Sequence, residues 1–292
     1  MRSDRATLDE ETPQWVVEME KLPLEQRMFP HLEGTGAVDF HRRPPTPAGA
    51  KLLMDVEYGE HGKLLYAYGR ADGSERRPVV VLLHGGGWRF GTPFMCVRYA
   101  ADLAALGYVT VCPQYRFSTD AIWPAQLEDA RAAVAWVRAN ASRLGCDPER
   151  MVIGGQSAGG HIAMMLALTE PGSVRGVIDW YGPAALDDLA AAHPSFVAAV
   201  TLLLGSTDPD VIRQASPITY VSAAAPPFLV LAASADGGAQ SLLAMHEALR
   251  SAGASSEFHV YEGVHVFDAI PAGWYWCFEH MTRFLERAIG RP

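Results

Sequence analysis

The sequence has few cysteines, and it has no apolar run long enough to cross a bilayer. Its four cysteines (Cys96, Cys112, Cys146 and Cys277) are widely separated and form no Cys-x-x-Cys pair, so we expect free thiols. No apolar stretch approaches the roughly 20 residues that a membrane-spanning helix requires. The N-terminal stretch MRSDRATLDEETPQW lacks the apolar core of a secretory signal. These absences predict a cytoplasmic protein without a membrane span.

A block of Lys or Arg long enough to form a nucleic-acid surface is missing as well. The chain carries 24 basic and 33 acidic residues, a net charge of −9, and both signs are scattered along it. This acidic balance argues against a nucleic-acid partner. Internal repeats and low-complexity tracts are also absent. With 49% hydrophobic residues among 292, the chain can build one large core or two small ones.

Strand-like and helix-like segments alternate from about residue 51 onwards. The expected strands lie at 52–59, 63–70, 77–84, 107–113, 150–155, 174–182, 226–234 and 255–263. The expected helices lie at 93–106, 124–143, 157–169, 240–252 and 272–289. This alternation predicts an α/β fold with a mostly parallel central sheet of about eight strands and helices on both faces. Ligands of such sheets bind beyond the carboxyl ends of the strands.

The stretch VIGGQSAGGH contains a G-x-S-x-G motif at residues 155–159, centred on Ser157. It follows a predicted strand and opens a predicted helix, which is the context of a nucleophile elbow. A tight turn of this kind needs small residues on both flanks of the serine. The helix N-terminus behind it supplies free N–H donors and a partial positive charge. We therefore identify Ser157 as the candidate nucleophile; the alternative is a glycine-rich turn with an incidental serine.

A nucleophilic serine needs a base, and the base needs an acid that orients it. In this architecture the chain order is Ser, then Asp or Glu, then His. Asp236 and His265 fit, because each follows a predicted strand and lies at the same sheet edge as Ser157. The other candidates are less suitable. His246, His259, His280 and Asp179 lie inside predicted helices or strands. His161 lies on the helix of Ser157, and Asp268 follows the histidine in the chain.

The glycines of VVVLLHGGGW end the strand expected to lie beside the one that carries the elbow. The loop at this place in the fold supplies backbone N–H groups to an oxyanion hole, together with the N–H of the residue after the nucleophile. We expect the donors to be Gly86, Gly87 and Ala158, with Gly85 shaping the turn. The alternative is a phosphate-binding glycine loop, but the G-x-x-x-x-G-K-[ST] and G-x-G-x-x-G patterns are missing.

These motifs in this order resemble the α/β-hydrolase esterases. The resemblance is to the branch with an H-G-G-G motif, which includes hormone-sensitive-lipase-like and feruloyl-esterase-like carboxylesterases. It covers roughly residues 50–290 and rests on HGGGW, GQSAGGH, DWYGP, ASPITYV with PPFLVL, and GVHVF. It implies an α/β-hydrolase domain over 51–292 with the triad Ser157, Asp236 and His265. A small cap is implied by the insert at about 184–225, with the N-terminal segment 1–50 as a further contributor.

Two features depart from the family pattern and bear on the substrate. Gln156 stands where such esterases often carry an acidic residue or glycine, and DGGAQS replaces the frequent D-x-x-V-P after the acid. Aromatic residues near predicted strand ends favour a pocket for aryl or otherwise bulky esters, and the candidates are Trp88, Trp180, Tyr181 and Trp274. The insert's apolar stretch SFVAAVTLLLG could line an acyl pocket or pack on the sheet.

The sequence thus predicts a serine carboxylesterase that hydrolyses small to medium carboxylic esters, aromatic ones included. It works through an acyl-enzyme on a small-molecule ester, without a metal or an organic cofactor. The same triad would also serve an amide hydrolase of the arylformamidase type, or a biosynthetic acyltransferase or cyclase. A non-catalytic binding protein is the alternative from another class, and the filled triad argues against it. The sequence permits a homodimer and specifies no oligomeric state.

Overall fold

A computed structural model of the chain describes residues 45–61, 63–70, 76–192 and 194–292, so residues 1–44 of the expected N-terminal segment lie outside the described residues. The centre of the fold is an eight-stranded sheet. Its strands are β1 Ala50–Tyr58, β2 Lys63–Arg70, β3 Arg77–Leu83, β4 Val109–Pro113, β5 Cys146–Gln156, β6 Gly176–Trp180, β7 Phe228–Ala233 and β8 Ser256–Tyr261.

The strands follow the order β1-β2-β4-β3-β5-β6-β7-β8 across the sheet. Strand β2 pairs antiparallel with both of its neighbours, and the pairs from β4 to β8 are all parallel. The predicted mostly parallel sheet of about eight strands is therefore confirmed. Because β5 lies between β3 and β6, the loops that follow these three strands meet at one edge of the sheet.

The helices are α1 Val97–Ala105, α2 Ala125–Ala139, α3 Ala141–Leu144, α4 Ala158–Thr169, α5 Leu186–Ala192, α6 Pro194–Leu204, α7 Pro209–Gln214, α8 Ala239–Ser251 and α9 Pro271–Ile289. One helix was expected over 124–143, and the chain forms two. The break falls at Asn140, whose side-chain amide donates to the carbonyl of Trp136 at 2.9 Å. Asparagine competes with the helical backbone in this way, and it often ends helices for that reason.

The alternation of β3 shows how the core is divided between the two faces of the sheet. Val79, Val81 and Leu83 belong to one buried cluster, which contains the apolar faces of α2, α4 and α8. Val80 and Leu82 belong to a second cluster, formed with α1 and α9 on the opposite face. A strand buried on both faces needs apolar residues at every position, which explains the continuous run VVVLL.

The insert between β6 and β7 contains α5, α6 and α7. Within α6, Val200, Leu203 and Leu204 are buried in the core cluster that holds α4. The four cysteines are buried and free, as predicted. Among the residues that the structure describes, no helix is both long and apolar enough to span a bilayer. The same residues hold no group of three or more His, Cys, Asp or Glu side chains suited to a metal ion.

Candidate active site

Ser157 lies at a sharp corner between β5 and α4. Its φ of 51° and ψ of −116° lie outside the regions that serine ordinarily occupies. The corner closes because Gly155 and Gly159 lack side chains: a Cβ on Gly155 would overlap the backbone of Gly159. The Ser157 amide donates to the carbonyl of Trp180 at 2.8 Å, which ties the corner to the end of β6. Strained backbone at a strand-to-helix turn is the geometry that the G-x-S-x-G motif predicts.

The structure brings Ser157, His265 and Asp236 together, although 108 residues separate the serine from the histidine. Nε2 of His265 lies 3.0 Å from Oγ of Ser157. Nδ1 of the same ring lies 2.6 Å from Oδ2 of Asp236. The carboxylate can only accept, so Nδ1 carries the proton, and Nε2 is left to accept from the serine hydroxyl. Oδ1 of Asp236 accepts from the Gly238 amide at 3.1 Å and is thereby held in place.

The loop after β3 turns back on itself at the three consecutive glycines. Gly86 and Gly87 have φ values of 118° and 56°, in the region that favours glycine. The Gly86 carbonyl accepts from the amides of Arg89 and Phe90 at 3.0 and 3.2 Å. Within the part of the chain that the structure describes, the amides of Gly86 and Gly87 have no acceptor. Ala158 begins α4, where a helix leaves its first N–H groups unpaired.

His84 holds the base of this loop and does not face the cavity. Its ring is completely buried and stacks on Tyr115, with ring centroids 4.4 Å apart. Burial lowers the pKa of His84 to about 4, so the ring is neutral near pH 7. The hydroxyl of Tyr115 donates to the His84 carbonyl at 3.0 Å. The conformation of the glycine loop is thus fixed from behind by buried aromatic side chains.

Trp88 both lines the cavity and anchors the loop. Its indole Nε1 donates to Nδ1 of His161 at 3.2 Å. Nε2 of His161 lies 2.8 Å from the carbonyl of Ala215, so this nitrogen carries the proton. Burial lowers the pKa of His161 to about 4, which keeps the ring in this neutral form. His161 therefore joins the glycine loop, the helix of Ser157 and the insert.

A cavity of about 200 Å³ opens in front of Ser157 and His265. Gly86, Gly87, Trp88 and Tyr181 line it, together with Asp236. The rest of the apolar lining includes Phe196 and Ala199 of the stretch SFVAAVTLLLG, for which a pocket-lining role was one of two expectations. The remaining apolar lining residues were not predicted and are Phe90, Met95, Pro183, Leu189 and Val266. Only their positions in the chain could have indicated that they line the cavity. They lie in the loops after β3, β6 and β8, in the short turn that precedes α1, and in the insert.

Two of the expected pocket residues, Trp180 and Trp274, do not line this cavity. Trp180 ends β6 and shares the face of Ile178, so its indole points into the core beneath α1 and α9. Trp274 lies on the buried stripe of α9, stacked on Tyr99 with ring centroids 5.8 Å apart. Strand alternation places Trp180 on the face opposite to the insert, and helix periodicity does the same for Trp274. The expectation for these two residues was wrong.

The rival acids of the sequence analysis have other partners. Asp179 is buried in β6, where its Oδ1 accepts from the Gly182 amide at 3.0 Å. Burial raises the pKa of Asp179 well above its usual range. Asp268 is buried as well, and its carboxyl group accepts hydrogen bonds from Gln156, Tyr99 and Tyr181. Among the described hydrogen bonds, the ring of His265 bonds to Asp236 and not to either of these groups.

The chain is similar to two esterases of Mycobacterium tuberculosis (strain ATCC 25618 / H37Rv). Esterase LipQ is 32% identical over 252 residues, and the match covers 78% of this chain and 57% of LipQ. The probable carboxylic ester hydrolase LipM is 32% identical over 239 residues, and the match covers 68% of this chain and 54% of LipM. The chain thus spans just over half the length of these curated relatives.

Among solved structures, the chain is similar to a thermophilic esterase, Est2, of the Planctomycetes species Thermogutta terrifontis. Its propionate-bound form has a TM-score of 0.70 and 26% identity, covering 86% of this chain and 99% of Est2. The form phosphonylated by sarin has a TM-score of 0.70 and 25% identity, covering 84% and 97%. This likeness and the sheet topology confirm the predicted α/β-hydrolase fold. The sequence model of the BD-FAE family matches residues 65–242, more than half of the chain, and the chain belongs to this family.

Proposed function

We propose that the protein is a serine carboxylesterase. The observation that carries the proposal is the hydrogen-bonded series from Ser157 Oγ through His265 to Asp236, with distances of 3.0 and 2.6 Å. This series begins at the strained corner of Ser157, beside the glycine loop whose Gly86 and Gly87 amides have no acceptor among the described residues. The esterase names of LipQ, LipM and Est2 support the same reaction class.

Each group has a defined part in the proposed mechanism. His265 Nε2 takes the proton from the Ser157 hydroxyl, and Oγ attacks the ester carbonyl carbon. Asp236 keeps the imidazole oriented and stabilises it while it is charged. The amides of Gly86, Gly87 and Ala158 donate to the developing oxyanion. His265 then protonates the leaving alcohol, which departs as the acyl-enzyme forms. Water attacks the acyl carbon with His265 as base, the bond to Ser157 Oγ breaks, and His265 returns the proton to Oγ as the carboxylic acid departs.

The size of the cavity supports small to medium esters. Pockets for drug-sized ligands usually measure about 300–1,000 Å³, and this one holds about 200 Å³. A short acyl or a single aryl group matches that volume. Est2 has been solved with propionate bound, which supports a short acyl group on this chain too. Trp88, Phe90, Tyr181 and Phe196 supply the aromatic surface of the cavity.

The insert at 184–225 is proposed to act as a small cap on the domain 51–292. Leu189, Phe196 and Ala199 of the insert line the cavity. The rest of α6 packs on the core through Val200 and Leu203, so this helix both covers the site and is held to the sheet. The apolar side chains of the insert would contact the acyl or aryl part of the substrate, and not the reacting carbonyl.

Replacing the nucleophile tests the proposal. The variant Ser157→Ala should lose hydrolysis of p-nitrophenyl acetate and butyrate by about 10⁴-fold or more, because the covalent step is removed. Ser173→Ala, in the turn after α4 and away from the cavity lining, is the matched control and should keep wild-type rates. Turnover by Ser157→Ala near that of the wild type would refute the assignment.

Amide hydrolysis and acyl transfer would use the same groups and need a separate measurement. We expect kcat/KM for phenyl acetate to exceed that for formanilide and formylkynurenine. Products formed in the presence of an added alcohol or amine should be dominated by the free acid. A preference for the formyl amides would favour an arylformamidase, and a dominant transfer product would favour an acyltransferase.

A further inference from the structure

The turn that follows the catalytic histidine contains a buried carboxylate to which the proposed mechanism assigns no role. Asp268 lies three residues after His265 and is fully buried. Its Oδ2 accepts from Nε2 of Gln156 at 2.6 Å and from the hydroxyl of Tyr99 at 3.2 Å. Its Oδ1 accepts from the hydroxyl of Tyr181. A carboxyl group buried this deeply is tolerated because it is so fully hydrogen-bonded.

Two of the three donors stand directly beside the reacting groups. Gln156 immediately precedes Ser157 at the end of β5, and it lines the cavity. The ring of Tyr181 packs edge-on against the ring of His265, with centroids 4.7 Å apart. The third donor, Tyr99, lies on α1 and contacts Trp180 and Trp274 in the core. Asp268 is thus linked to the neighbours of both the nucleophile and the base.

Tyr181 is held in a conformation that a tyrosine rarely adopts. Its φ is 44°, in the left-handed region that bulky residues disfavour. Its amide donates to the carbonyl of Leu231 at 2.8 Å, and its hydroxyl donates to Asp268. Backbone of this kind persists only where the surrounding contacts over-determine it. The bond to Asp268 fixes the far end of the ring whose edge meets His265.

We propose that Asp268 is a positioning residue for the serine–histidine pair. Through one carboxylate it ties together the end of β5, the end of β6 and the loop that carries His265. These three segments set the distance between Ser157 Oγ and His265 Nε2. The inference rests on the proposed esterase function, since it concerns the geometry of that triad. Errors of about 1 Å in such geometry can cost as much as 100-fold in rate.

Two tyrosine variants separate positioning from general support. Tyr181→Phe and Tyr99→Phe each delete one hydroxyl that donates to the same buried carboxylate. Tyr181→Phe should lower kcat for p-nitrophenyl acetate about 10-fold while KM changes less than about 2-fold, because chemistry is impaired and not binding. Tyr99→Phe should keep kcat within about 2-fold of the wild type, since Tyr99 contacts neither Ser157 nor His265.

The labelling rate of the serine by a fluorophosphonate probe gives a readout that does not depend on the ester. Tyr181→Phe and Asp268→Asn should each label about 10-fold more slowly than the wild type, and Tyr99→Phe at the wild-type rate. The double variant Asp268→Asn/Tyr181→Phe should be labelled no more slowly than the slower of the two single variants. Both substitutions disrupt the same hydrogen bond between Tyr181 and residue 268, so their effects should not add. If Asp268→Asn does not fold, the two tyrosine variants decide the matter alone.

The outcomes distinguish this inference from the proposed function. Equal rates for the wild type and Tyr181→Phe, or equal losses in Tyr181→Phe and Tyr99→Phe, would overturn the role of Asp268 and leave the triad intact. A wild-type protein that is not labelled at Ser157 would instead refute the proposed function. Slow labelling confined to the Asp268 and Tyr181 variants would support positioning.

Discussion

At the scale of single residues, the conformation of the glycine loop after β3, the proposed oxyanion loop, depends most directly on Gly86. Its φ is 118°, and a Cβ at this position would overlap the carbonyl oxygen of Phe90. That carbonyl belongs to the tight turn formed by residues 86–90. A side chain here would push the loop outward and misdirect the Gly86 and Gly87 amides. Gly86 therefore holds this turn in a conformation that a residue with a side chain could not adopt.

The variant Gly86→Ala should lower kcat/KM for p-nitrophenyl acetate by about 100- to 1000-fold, the usual cost of losing an oxyanion donor. Gly172→Ala is the matched control: its φ of 86° is also positive, but a Cβ there meets nothing within 4 Å. Initial rates of both variants check the prediction. Comparable rates for the two would contradict the role given to the loop.

Chain order and strand ends were enough to predict from the sequence that the three side chains of the proposed triad lie together. Ser157, Asp236 and His265 each follow a parallel strand, so their meeting at one edge could be predicted. The aromatic pocket was harder to predict, since the face on which Trp180 lies depends on the pleat of β6. The Asp268 network could not be predicted, because Tyr99 lies 169 residues away in the chain.

At the scale of elements, α6 of the insert has both a cavity side and a solvent side. Phe196 and Ala199 line the cavity, whereas Val197 is 44% exposed. From the sequence alone, this apolar stretch could either line a pocket or pack on the sheet. The structure shows both, because a helix places successive residues on different faces. The eight strands and the helices outside the insert were predicted within a few residues, and helix ends differed where side chains such as Asn140 intervene. The insert helices α5, α6 and α7 were not predicted.

The variant Phe196→Ala should enlarge the acyl end of the cavity. We expect the ratio of kcat/KM for p-nitrophenyl octanoate to that for the acetate to rise about 10-fold. Val197→Ala, on the neighbouring solvent-facing position, should leave the ratio unchanged. Acyl-chain profiles of the two variants and the wild type check this. An unchanged profile in Phe196→Ala would argue against the proposed cap.

At the scale of the whole molecule, buried histidines couple stability to pH. Burial lowers the pKa of His84 and of His161 to about 4 in the folded protein, against about 6.5 in the unfolded chain. The unfolded chain therefore takes up protons first as the pH falls. The resulting stability is present above pH 6.5 and is lost as the pH falls towards 4. The buried carboxyls of Asp179 and Asp268 have raised pKa values and act in the opposite direction.

Replacing one buried histidine isolates its share of this pH dependence. In His161→Gln the free energy of unfolding should fall less steeply than in the wild type between pH 6.5 and 4. The loss of unfolding free energy between pH 6.5 and 4 should be smaller in the variant than in the wild type by at most about 3 kcal/mol. Urea unfolding at several pH values gives the slope of the unfolding free energy against pH for the wild type and for the variant. Parallel slopes in the two proteins would contradict a neutral, buried His161.

The central claim is that Ser157 is a nucleophile activated by His265. The most direct measurement is the mass-spectrometric mapping of the adduct formed with a fluorophosphonate probe. We predict one adduct per chain, on the peptide that contains Ser157, absent in Ser157→Ala and formed at least about 100-fold more slowly in His265→Ala. No adduct in the folded wild type, or one on another residue that persists in Ser157→Ala, would contradict the account.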